Sequence, residues 1–122
     1  MAHIIICDDE ELFRKIHRAL LEGAEHKVTT APDGADVLDL LAKGTLCDVI
    51  ITDGQMEKIH GWNLLEVVQK THPSIPVILV SALVNDLKQL ERLKPMGFSA
   101  MLGKPCEPQI LLDAVNQALN PQ

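Results

Sequence analysis

The chain has no tyrosine, two phenylalanines and one tryptophan among its 122 residues. A core must therefore be built from Ile, Leu, Val, Ala and Met, and the shortage weighs against the aromatic platforms on which single-stranded nucleic acid stacks. Positive charge is also short. The formal net charge is −6, whereas a protein that grips phosphate backbones carries a basic footprint. No direct nucleic-acid partner is expected. No apolar run approaches the roughly 20 residues of a membrane-spanning helix, and the opening MAHIIICDDEE lacks the basic segment and long apolar stretch of a secretory signal. No membrane partner is expected either. Cys7, Cys47 and Cys106 are odd in number, far apart and free of CxxC spacing. That argues against a disulfide framework or a structural zinc site, and a reducing cytoplasm fits best.

What is present reads as one globular domain over residues 1–122, because 47% of the chain is hydrophobic and its length suits a single core. Five short apolar runs recur at similar intervals: His3–Cys7, Lys27–Ala31, Val49–Asp53, Pro76–Ser81 and Ser99–Leu102. The first, third and fourth are continuous and rich in Ile and Val, as strands covered on both faces of a parallel sheet must be. Segments of helical period lie between them. Leu12, Phe13, Ile16 and Leu20 form a first stripe, with Gly23 placed to end it. Val37, Leu38 and Leu41 form a second, opened by Asp33 as cap and closed near Gly44. Leu64, Leu65 and Val68 form a third that stops before Pro73, and Leu87, Leu90 and Leu93 a fourth ended by Pro95 and Gly97. Ile110, Leu111, Ala114, Val115 and Ala118 form the last, with Pro108 in its first turn. This is a (βα)₅ pattern, and right-handed crossovers turn it into an open, doubly wound α/β sheet. Ligands on such sheets sit beyond the carboxyl ends of the strands.

Those ends carry chemistry. Asp8 and Asp9 follow the first strand, Asp53 ends the third, Ser81 ends the fourth and Lys104 follows the fifth. Each alone has an ordinary explanation as a helix cap, a turn residue or a solvated lysine. All five at the strand ends of one sheet are harder to explain that way. Clustered carboxylates repel unless a cation neutralises them, and Mg²⁺ suits a few carboxylates together with phosphate oxygens. Asp53 can attack phosphorus, Lys104 supplies a point charge and Ser81 a hydrogen bond.

The Asp8–Asp9 pair, the strand IITD ending in Asp53, Met56, Gly61, the Ser81–Ala82 step, Gly97 and the Lys104–Pro105 pair resemble the response-regulator receiver family of two-component signalling. The resemblance spans nearly the whole chain. It implies a flavodoxin-like sheet in the order 2-1-3-4-5, and Asp53 as phosphoacceptor with Asp8, Asp9, Asp53 and the Gln55 backbone carbonyl around Mg²⁺. It also implies phosphoryl contacts from Ser81, Lys104 and the Gly54 and Ala82 amides, and a cis bond at Pro105. The implied donor is a sensor histidine kinase or phosphotransfer protein. The implied output is a downstream protein target or a fused effector, from a monomer or weak homodimer. Such a domain is not an enzyme in the ordinary sense: it catalyses only its own phosphorylation and dephosphorylation.

Two positions depart from the family pattern. The aromatic residue usual three places before the lysine is Met101, and the usual proline four places after the acceptor is Glu57, which sets another carboxylate near an acidic pocket. Both lend some support to an alternative, a pseudo-receiver acting as a phosphorylation-independent interaction module; the intact acidic pocket and Lys104 oppose it. A phosphohydrolase with an aspartyl nucleophile would need a second acid at Gln55 and a substrate-selecting cap, and the chain offers neither.

Overall fold

The computed structural model describes residues 2–120. Strands β1 (His3–Cys7), β2 (Lys27–Ala31), β3 (Val49–Thr52), β4 (Val77–Val80) and β5 (Ala100–Leu102) alternate with helices α1 (Glu11–Gly23), α2 (Gly34–Ala42), α3 (Gly61–Thr71), α4 (Leu87–Leu93) and α5 (Pro108–Leu119). The strands form one parallel sheet in the order β2-β1-β3-β4-β5, as expected. Successive side chains of a strand point to opposite faces, and the core divides accordingly. Ile5, Cys7 and Ile50 pack with Val37, Leu41, Leu64, Leu65 and Val68 of α2 and α3. Ile4, Ile6, Val49, Ile51 and Ile78 pack with Leu21 of α1 and Leu111 and Val115 of α5. Each such side chain contributes about 1.5–3 kcal/mol on burial, which is why β1, β3 and β4 carry no polar alternation.

Helix α1 departs from the expected stripe. Leu12 and Ile16 are 66% and 50% exposed, while His17 and Leu21 are buried. The inward line is Phe13, His17 and Leu21 at i, i+4 spacing, a line that a stripe of apolar residues alone does not show. Burial, helped by the nearby charge of Lys104, holds the His17 imidazole below its ordinary pKa. Gly23 is the last helical residue rather than the terminator, and Glu25 takes the left-handed conformation instead (φ 71°). In α4 Leu87 lies exposed and Leu93 supplies the buried contact. Among the described residues no helix is long and apolar enough to cross a membrane.

The parallel ladder runs one residue past the strands. The Asp53 amide donates to the Cys7 carbonyl at 2.9 Å, the Asp8 amide to Ala31 at 3.1 Å and the Ser81 amide to Leu102 at 3.0 Å. Residues that follow the strands are thus held nearly as firmly as those within them.

Asp33 secures the neighbouring loop. Its carboxylate caps α2 by accepting from the Ala35 amide at 3.0 Å, and it also accepts from Lys58 at 2.8 Å and Ile59 at 3.0 Å, tying the β3–α3 connection to α2. Burial alone would raise its pKa, but these three amides, aided by the Lys58 charge, outweigh it and hold the group below the usual carboxylate value. Its stabilisation is therefore complete above the unfolded value of about 3.9 and is lost as pH falls through the lower folded value. Asp33→Ala is expected to cost about 2–4 kcal/mol at neutral pH in urea denaturation, since three amides lose their acceptor. Below pH of about 4 the deficit should narrow as the wild-type carboxylate protonates.

Candidate functional site

The carboxyl ends of β1, β3, β4 and β5 bring Asp8, Asp53, Ser81 and Lys104 to one cleft, also lined by Asp9, Gln55 and Ala82. Lys104 is its centre. The ammonium is buried and lies 2.9 Å from Asp8 Oδ2, 3.0 Å from Asp53 Oδ2 and 2.7 Å from Glu10 Oε1. Its three protons thus meet three carboxylates. The Phe13 ring supports the same nitrogen from 4.2 Å, a favourable place for a cation. Burial alone would lower the lysine pKa; Glu10, Asp8 and Asp53 reverse this and raise it. Asp8 behaves differently. Burial raises its pKa and prevails over the opposing effects of the Glu10 amide and Lys104.

The backbone is shaped to the same end. Gly54 donates its amide to Asp53 Oδ1 at 2.6 Å. Any side chain at Gly54 would meet Ser81 Oγ at 3.0 Å, Leu83 Cδ1 at 3.3 Å and Trp62 Cζ3 at 3.4 Å. Gly61 donates to the Gly54 carbonyl at 2.6 Å, and a methyl group there would collide with the Asp53 carbonyl. Ser81 Oγ accepts from the Leu83 amide at 3.2 Å, which leaves its own proton free to donate into the cleft. The Lys104–Pro105 bond is cis.

Every residue expected at the site lies on or beside this cleft, but three features differ from the sequence reading. The ammonium of Lys104 is shared by carboxylates. Its third partner, Glu10, was not foreseen, although the unbroken acidic run Asp8–Glu11 was a signal for it. Glu57 is exposed and stands outside the group of carboxylates, Asp8, Asp9, Glu10 and Asp53, whose oxygens lie within 4.8 Å of one another. The reason is Asp33, which holds the amides of Lys58 and Ile59 against α2. His60 accepts from the Met56 amide at 3.1 Å and so braces the loop after Asp53. The cysteines are quiet: burial raises the Cys7 thiol to about 12, and burial with the Glu107 charge raises Cys106, so neither is a thiolate at neutral pH.

The four carboxylates Asp8, Asp9, Glu10 and Asp53, three of them in contact with the Lys104 ammonium, offer hard oxygen donors of the kind that hold Mg²⁺ rather than a softer metal. The residues present therefore fit that ion. A buried carboxylate beside an ammonium, a hydroxyl and a glycine amide is equipped to receive a group with anionic oxygens.

Comparison with known proteins agrees. The family model of the response regulator receiver domain matches residues 4–116. A receiver domain protein from Clostridium thermocellum superposes with a TM-score of 0.88 at 30% identity, covering 98% of this chain and 95% of that one. The signal receiver domain of an HD domain-containing protein from Pseudomonas fluorescens Pf-5 gives 0.86 at 29% identity, over 96% and 93% of the two chains. Among curated proteins, the chain is 31% identical to the 3′,5′-cyclic-nucleotide phosphodiesterase regA of Dictyostelium discoideum and 29% to the transcriptional regulatory protein GlrR of Escherichia coli. These alignments take in 95% and 97% of this chain but only 15% and 26% of those longer proteins. The chain therefore spans only about a seventh and a quarter of the length of these two curated relatives. On sequence, fold and extent of match, the chain belongs to the response regulator receiver domain family of two-component signalling.

Proposed function

We propose that residues 1–122 act as one cytoplasmic receiver domain in which Asp53 accepts a phosphoryl group from a phosphohistidine on a sensor histidine kinase or phosphotransfer protein. The observation that carries this reading is the contact of the buried Lys104 ammonium with both Asp53 and Asp8. That contact places a fixed positive charge where phosphoryl oxygens would arrive. An Asp53 oxygen attacks phosphorus, the P–N bond breaks, and the leaving imidazole keeps its electron pair. Lys104, the Ser81 hydroxyl and the Gly54 and Ala82 amides would then receive the phosphoryl oxygens. Asp8, Asp9, Asp53 and the Gln55 backbone carbonyl would hold Mg²⁺, which when bound supplies charge compensation between the acceptor and the phosphoryl group. The reaction modifies the protein itself, and its consequence is a change in contacts with a downstream protein or fused effector.

Incubation with acetyl phosphate and Mg²⁺ is expected to add one phosphoryl group by intact-mass spectrometry, and to add none to Asp53→Asn or in the presence of EDTA. No gain in the wild-type protein, together with no binding of beryllofluoride, would replace this reading with a phosphorylation-independent interaction module.

The sole tryptophan borders the space beside Gly54, so Mg²⁺ titration should change its fluorescence, and Asp8→Asn should weaken that response at least about 10-fold in apparent affinity. An equal response in both proteins would remove Asp8 from the metal site.

A further inference from the structure

Lys104 donates to Glu10 at 2.7 Å, the shortest of its three carboxylate contacts. Yet Glu10 differs in kind from the other two. Its side chain is 57% exposed, against 4% for Asp8 and 10% for Asp53. Asp8 and Asp53 are fixed by burial and by amides, Asp8 accepting from the Glu10 amide at 2.8 Å and Asp53 from Gly54 at 2.6 Å. Glu10 enters from the solvent side of the cleft and occupies the one remaining ammonium proton.

We infer that Glu10 is a positioning residue that restrains phosphorylation: it holds Lys104 in the unphosphorylated protein and competes with the incoming phosphoryl group for that ammonium. This rests on Asp53 being the phosphoacceptor. An arriving phosphoryl group brings anionic oxygens that need the same donor, and Glu10 must give it up. Glu10 also adds a negative charge at the mouth through which an anionic donor enters. Both effects slow the reaction, and the second grows with the donor's charge. Because the glutamate is exposed, screening by water and salt keeps the effect modest. For acetyl phosphate the step balances as an Asp53 O–P bond formed and a P–O bond broken, with acetate leaving on its electron pair.

The test compares the wild-type protein with Glu10→Gln and Glu10→Ala at Mg²⁺ saturating for each, using acetyl phosphate, largely a dianion, and phosphoramidate, which carries less net negative charge. Both variants are expected to be phosphorylated about 2- to 10-fold faster by acetyl phosphate at low salt, with a smaller gain for phosphoramidate and a gain that shrinks as salt rises. Without metal or donor, the ¹⁵Nζ resonance of Lys104 should differ between wild type and Glu10→Gln. Rates equal to wild type for both donors, or an unchanged Lys104 resonance, would overturn the inference while leaving Asp53 as acceptor. A wild-type protein that takes no phosphoryl group from either donor would instead overturn the reading of Asp53 itself, and the restraint with it.

Discussion

The cleft depends on the charge balance around Lys104. A buried ammonium without partners costs several kcal/mol, and carboxylates gathered without a cation repel one another. Each side of this arrangement needs the other. Asp8 and Lys104 lie 96 residues apart in the chain, so the contact exists only once β1 and β5 occupy their places on either side of β3 and β4. Burial still raises the Asp8 pKa above its ordinary value, although the Glu10 amide and Lys104 act in the opposite sense. Such a site favours any additional cation that can relieve the carboxylates, and a ligand bearing anionic oxygens that can engage the lysine.

The backbone supplies the precision that salt bridges alone lack. The ladder of the sheet continues through the amides of Asp8, Asp53 and Ser81, so the first residue after each of three strands keeps strand geometry. Gly61 lets the start of α3 close onto the end of β3, and Gly54 leaves open the space between Ser81, Leu83 and Trp62. Asp33 contributes from outside the cleft by fixing the loop that follows Asp53. These are constraints on backbone approach. They explain why small residues and one capping acid sit where side-chain chemistry alone would not demand them.

Much of this was legible in the sequence because its signals were of the kind that local patterns carry. Continuous Ile and Val runs mark strands buried on both faces, and a regular βα alternation leaves few topologies. The polar residues at the ends of those runs then had to converge. What stayed hidden was rotational or long-range. The phase of α1 turned on whether His17 belonged to the core, and a histidine gives no clear hydrophobic signal. The part of Glu10 depended on the reach of Lys104 back across the sheet. Glu57 was read as near the pocket from its spacing to Asp53, but the pull of Asp33 on the next two amides sets its direction.

The departure at Met101 bears on how the cleft connects to the rest of the molecule. Met101 is half-buried in β5 beside Leu79, and it offers no ring that could swing between two positions. The links from the cleft to α4 lie elsewhere. Ser81 opens a 3-10 turn over Ala82–Asn85 that runs into Asp86, the cap of α4, whose carboxylate accepts from the Lys88 amide at 2.9 Å. Asn85 of that turn reaches the Lys104 carbonyl at 3.5 Å, and Arg92 of α4 rests over the ring of Trp62, the residue that borders Gly54, at 4.7 Å. The 82–86 segment therefore joins Ser81 to the cap of α4, and Asn85 ties that segment to the backbone of Lys104. With Met101 in place of an aromatic residue on β5, α4 meets the surroundings of the cleft through the 82–86 segment and through Trp62 on α3.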